Sequence, residues 1–149
     1  MTLQSSGAIS MSDLNNEVGS NRNNLDDGIL RALANKVGSG TPISFSDFYG
    51  KTGKIAKGIT MSASTSSVGF SGTPCMGGTA DQLIVNASNG NCELDFSVAP
   101  IWQGNYTITN NTTGVSSVLY WQNSRSWQGA NYANLLRANT GDYFTIIPS

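Results

Sequence analysis

Glu93 and Asp95 stand two positions apart in the segment CELDFSV, with Asp81 upstream. Paired carboxylates can cleave a glycosidic bond, one as acid and the other as base or nucleophile. In an alternating run, however, positions i and i+2 share a face. Here that face lies opposite Cys92, Leu94, Phe96 and Val98, so a solvated strand surface accounts for the two acids better. The chain has no histidine, which removes Ser-His-Asp and Cys-His nucleophile arrangements. No phosphate-binding loop, dinucleotide fingerprint or calcium loop occurs. A non-enzyme without cofactor is expected.

Cys75 and Cys92 are the other reactive pair. In a chain read as made in a cytoplasm they are two reduced, half-buried thiols first and a disulfide second. A metal site would need two further ligands, and without histidine none is expected. The remaining chemical feature is the stretch YWQNSRSWQGANY, in which Trp121, Trp127 and Tyr132 interleave with Gln122, Asn123, Arg125, Gln128 and Asn131. Aromatic faces beside amides suit a packed core, a protein interface or a sugar. Trp121 is expected to fill the core with Tyr120 opposing it. Trp127 falls outside any clean alternation and is the exposed candidate, with Arg125, Gln128 and Tyr132 beside it as a possible glycan or protein contact.

The elements that must carry these residues change character near residue 57. Residues 1–57 hold six Lys/Arg and five Asp/Glu, whereas residues 58–149 hold only Arg125, Arg137, Asp81, Glu93, Asp95 and Asp142. In the second part apolar residues recur with period two. GITMSAS, SVGFSG, QLIVNA, CELDFSV, NYTITN, SSVLYWQ and DYFTIIP are strand-length runs separated by Gly, Asn or Pro. Asn89-Gly90 is a hairpin signal, and ANYANLLRANTG is either a short helical turn or an irregular edge strand. The fold class expected is mostly β with a short helical region before it: a docking and linker module over 1–57, then an antiparallel β-sandwich of immunoglobulin-like or jelly-roll-like type over 58–149.

The first part contains one phrase twice: ISMSDL at 9–14 and ISFSDF at 43–48. Each reads as a short extended segment with an apolar face, then a helical start. Ser12 and Ser46 are the expected caps, followed by Asp13 and Asp47, which suit a helix N-terminus. Gly19 and Gly50 are the expected stops. Between the copies, Leu25, Ile29, Leu33 and Val37 recur every four residues and predict a helix ended by Gly38. So short a region buries too little apolar surface to stand alone. Ile9, Met11, Leu14, Ile43, Phe45, Phe48 and Tyr49 are therefore expected to bury their side chains against a larger body: the rest of the chain, sister subunits or a partner.

The ordered pattern SSGAISMSDLNNEVG … LRALANKVGSGTPISFSDFYGKT, residues 5–52, resembles the N-terminal segment of small virion structural proteins of tailed bacteriophages, found among tail, neck and fibre-like proteins. The resemblance implies a non-enzymatic building block that assembles with itself and with other virion proteins. A host-surface glycan-binding module and a capsid decoration protein are the alternatives. Net charge is −1 with a pI near 5.1, so a nucleic-acid or anionic-membrane partner is not expected. No apolar run approaches the roughly 20 residues that span a bilayer, and the start of the sequence lacks the pattern of a secretion signal. The expected location is the virion, after assembly in a bacterial cytoplasm.

Overall fold

The computed structural model describes residues 2–38, 40–60, 67–85, 91–129, 135–137 and 141–149. Helix α1 (Met11–Val18), helix α2 (Gly28–Leu33) and a 3-10 turn (Phe45–Phe48) precede eight strands. These are β1 (Ile55–Thr60), β2 (Ser67–Cys75), β3 (Gly78–Val85), β4 (Cys92–Val98), β5 (Tyr106–Asn110), β6 (Val115–Asn123), β7 (Ser126–Gly129) and β8 (Gly141–Pro148). The fold is mostly antiparallel β with two short α-helices.

The strands form one sheet in the order β1-β8-β5-β6-β7-β4-β3-β2. Strand β6 joins its two halves: Val115–Leu119 pairs with β5, and Tyr120–Asn123 pairs with β7. The sheet curls until its edge strands β1 and β2 come together. Phe70 of β2 and Phe144 of β8 meet edge to face across the interior, 6.5 Å apart. The alternation in the sequence dictates which residues turn inward: Cys92, Leu94 and Phe96 on β4, Tyr106 and Ile108 on β5, and Phe144 and Ile146 on β8 are all buried. Each of the runs predicted as strands overlaps one. Strand β3 pairs antiparallel with β4 as the hairpin signal implied, although Asn89-Gly90 itself lies outside the described residues. Strand β7 was not foreseen, because SWQG is too short to show a period.

The repeated phrase builds the same device twice, two residues earlier than the sequence suggested. Ser10 and Ser44, not Ser12 and Ser46, are the N-caps. The Asp13 carboxylate accepts the Ser10 N–H at 2.8 Å, and the Asp47 carboxylate accepts the Ser44 N–H at 2.8 Å. The missed signal is Ser-x-x-acid, the spacing of a capping box. Ile9 and Leu14, like Ile43 and Phe48, occupy the positions before the cap and four after it, those of a hydrophobic staple. Gly19 closes α1 at φ 71°, as expected.

The helix predicted through Val37 stops at Leu33. Asn35 adopts φ 61°, and the Lys36 N–H returns to the Arg31 carbonyl at 2.8 Å, which is a left-handed C-cap reached before the expected glycine. The Arg31 guanidinium then donates to the carbonyls of Lys36 (2.8 Å), Gly38 (2.9 Å) and Thr41 (3.2 Å), gathering the chain that follows. Val37, left off the helix, is exposed.

The helical region closes one end of the curled sheet. The Met76 N–H bonds the Thr52 carbonyl at 2.7 Å and the Ile101 N–H bonds the Met76 carbonyl at 2.9 Å, tying the β2–β3 turn to the linker and to the loop after β4. A methyl group at Gly53 would lie 3.1 Å from the Glu17 carbonyl oxygen, so α1 sits against the entry to β1. Leu14, Val18, Ile29, Leu30, Leu33 and Phe48 belong to the same hydrophobic core as Ile55, Phe70, Leu94 and Phe144.

Candidate interaction surfaces

Each chemical group singled out in the sequence has a place in this frame. Glu93 and Asp95 point outward from β4, where β7 lies alongside with Glu93 opposite Gln128 and Asp95 opposite Ser126. Glu93 accepts from Ser126 Oγ at 2.6 Å and from Gln128 Nε2 at 3.0 Å; Asp95 accepts from Gln82 Nε2 at 3.2 Å. Partial burial pushes the Asp95 carboxyl up and the nearby Glu93 charge adds to it, while the Gln82 bond works the other way. The pair is thus held by amides and a hydroxyl across neighbouring strands.

Glu17 is the other acid in an unusual setting. It is buried on α1, and its Oε1 accepts the Gly53 N–H at 2.9 Å. Burial raises its pKa, and the Gly53 bond and the Lys54 charge partly offset that. Lys54 donates to the Asn16 carbonyl. Both line a groove of about 480 Å³ between residues 2–4 and α1. Each is also bonded to backbone across the joint between α1 and β1, so the groove's charged groups already have structural partners.

Cys75 and Cys92 are buried and unbonded to each other. Burial pushes both thiols up to about 12, so the thiolate needed for nucleophilic or redox chemistry is not populated at neutral pH. Among the described residues no group of three or more acids and cysteines could hold a metal ion, and no helix is long and apolar enough to cross a membrane.

The tryptophans exchange their expected roles. Trp127 is fully buried, edge to face with Tyr106 at 5.2 Å and Phe96 at 5.3 Å, and its indole N–H donates to the Gly104 carbonyl at 2.8 Å. Strand β7 is the reason, because it places Trp127 opposite the inward-facing Leu94. Trp121 pairs across from Trp127 but sits near the end of β6, where about half of it remains open, 46% exposed. The expected sugar-facing aromatic is therefore unavailable to a ligand. Of its companions, Arg125 is exposed in the β6–β7 turn, Gln128 is half-buried on Glu93, and Tyr132 lies outside the described residues.

The expected contact residues of the first part divide. Ile9, Leu14 and Phe48 are buried in this chain's own core, and Met11 and Ile43 pack partly against it. Phe45 and Tyr49 stay outside, 39% and 37% exposed, on the turn built by the second copy of the phrase. The Tyr49 hydroxyl donates to the Gly7 carbonyl, which ties that turn back to the first copy. An ion pair between Lys36 and Asp47 at 3.2 Å flanks it. Two partly exposed aromatic rings on one turn are side chains of a type enriched in protein contacts. No family model matches the chain, and neither a curated protein nor a solved structure does.

Proposed function

We propose that the chain is a non-enzymatic structural component of a tailed-phage particle, placed in the tail, at the neck (collar) or beside a fibre, and repeated there as a homo-oligomer. Its helical end would meet neighbouring virion proteins. The curled sheet, read as a sandwich whose facing halves are joined through β6, would form the projecting body. The observation that carries this is the fate of the second phrase. Phe48 is consumed by the core, while Phe45 and Tyr49, from the same turn, stay partly exposed. The ordered resemblance over residues 5–52 supports the same assignment, and so does the structural use already made of every carboxylate pair and thiol described above.

The test uses particles from a host carrying the gene, separated into heads, tails and free protein on a density gradient. The chain is expected in the tail-containing fraction. A Phe45→Asp, Tyr49→Asp double variant is expected to keep its melting temperature within a few degrees, since both rings are exposed, and to move to the free fraction. Recovery with isolated heads would instead mark a capsid decoration protein. Absence from every particle fraction would defeat the virion reading.

A further inference from the structure

Charge is spread unevenly over the folded chain. Residues 58–149 carry two arginines against four acids, and residues 1–57 carry six basic residues against five acids. Among the described residues, the ion pairs Arg22–Asp27, Arg31–Asp26 and Lys36–Asp47 join charges within the helical part, and Arg137–Asp142 joins two within the sheet part. The other acids of the sheet are gathered on two neighbouring strands. Asp81 is the extra residue where the β3–β4 register shifts between Ala80 and Gln82, and Glu93 and Asp95 point outward from β4. Ser126 and Gln128 hold Glu93, and Gln82 holds Asp95, all neutral groups that leave the negative charge in place. From residue 58 to residue 136 the one basic side chain is Arg125, exposed in the β6–β7 turn.

Three lysines lie on the other side of β2. Lys51, Lys54 and Lys57 fall within seven residues of the linker and β1, Lys57 exposed and the other two half-buried. Lys54 donates to the Asn16 carbonyl beside the buried Glu17, a bond that uses one of its three N–H groups. The backbone bond from Met76 to Thr52 sets this segment against the β2–β3 turn, and the curl of the sheet brings β1 to β2. Strand β2, SVGFSGTPC, carries no charge. Lysines and acids thus share one side of the molecule with a neutral strand between them. Among the described residues no ion pair joins these lysines to Asp81 or Asp95.

We propose that this side of the molecule pairs with the same side of a second copy about a two-fold axis, the lysines of each copy set against the acids of the other. Charge complementarity selects that occupant. A patch with both signs side by side becomes its own complement when turned through half a circle, so a second copy satisfies both groups at once. A purely basic partner would suit the acids but meet the lysines with like charge, and a purely acidic partner would do the reverse. The pairing goes beyond the virion reading, because it rests on this chain's own charges and is tested on purified protein.

Sedimentation of the full chain over a range of concentrations, at low and at high salt, tests it. A reversible dimer is expected, weaker as salt rises. Asp81→Lys with Asp95→Lys should weaken it roughly tenfold, since each reversal appears twice and sets like charges opposite one another. Lys51→Glu with Lys57→Glu should do the same; Lys54 stays, because it ties α1 to the linker. Each double variant then bears a single sign across the patch, and mixing the two should restore a dimer holding one copy of each. Melting temperatures near the wild-type value show that the variants remain folded. If Asp95→Lys does not fold, Asp81→Asn with Asp95→Asn keeps the side-chain size and should weaken the dimer in the same direction. A wild-type monomer at low salt and at all concentrations overturns the proposal, and leaves the particle fractionation to decide the virion reading. A dimer that survives both reversals, or folded variants that stay apart when mixed, overturns it as well.

Discussion

The two copies of the six-residue phrase begin alike and end differently. Residues 9–14 start an α-helix that runs to Val18; residues 43–48 make a single 3-10 turn. Both set a serine cap against an aspartate three residues on, and both send the sixth residue, Leu14 or Phe48, fully into the core. The difference lies downstream. Gly19 comes five residues after Leu14, but Gly50 comes two after Phe48. The start of a helix is thus written in the phrase, and its length in the distance to the next residue that adopts a left-handed conformation. The outcome differs too: α1 is long enough to bring Glu17 and Val18 onto the sheet, while the short turn leaves Phe45 and Tyr49 in solvent.

The comparison breaks most visibly at the residues the copies share. Phe48→Ala should cost about 3–5 kcal/mol and Leu14→Ala about 2–5 kcal/mol, as truncations of fully buried side chains usually do. All three tryptophans lie in the second part of the chain, at 102, 121 and 127, so their fluorescence during urea unfolding reports on the sheet. If the two parts share one core, either variant lowers the urea midpoint seen by tryptophan and by far-ultraviolet circular dichroism together. A tryptophan midpoint that stays at the wild-type value would mean that the helical end unfolds independently, and the two copies would then have no common structural role.

The stops separate the copies more finely. Gly19 and Gly50 both have positive φ, 71° and 68°, so alanine at either should cost roughly 1–2 kcal/mol in backbone strain. At Gly50 the added methyl group meets open space, whereas at Gly19 it would lie 2.5 Å from Ile147 Cγ2. Overpacking of that kind adds about 1–3 kcal/mol. Gly19→Ala is therefore expected to lower the urea midpoint clearly more than Gly50→Ala. Equal losses would indicate that α1 does not press on β8.

What was legible in the sequence follows from where the determining forces act. Alternation along a strand is local, so the inward faces of β4, β5 and β8 could be read directly. The cap glycine of α1 could be read for the same reason. Trp127 could not, because its burial depends on β7 pairing beside β4, and a four-residue strand has no period of its own. The stop at Asn35 was hidden because asparagine takes the left-handed conformation less often than glycine, and a glycine waited three residues further on. The roles of Ile9, Leu14 and Phe48 were visible as burial, with the rest of the same chain only one of three bodies that could cover them. Periodicity tells which side of an element is apolar and says nothing of what covers it.

The smallest expected effect opposes the two acids on α1. The Ser10 hydroxyl and N–H hold the Asp13 carboxyl below the ordinary range, and the Ser44 N–H does the same for Asp47 in the second copy. A depressed folded pKa gives stability that is present above the ordinary value of 3.8 and lost as pH falls through the folded one. Glu17 has no counterpart in the second copy, and burial raises its pKa above 4.5. Its folded form holds the proton more tightly than the unfolded chain does. Its contribution is therefore complete below about 4.5 and is lost as pH rises through the raised value. Melting temperatures measured in parallel from pH 3 to 7 should then diverge in opposite senses. Asp13→Asn starts below wild type at neutral pH and closes the gap in acid. Glu17→Gln gains on wild type as pH rises across the Glu17 titration. If both variants instead trend the same way, the Glu17–Gly53 bond outweighs the cost of burying the charge, and α1 is anchored to β1 by that carboxylate in its ionised form.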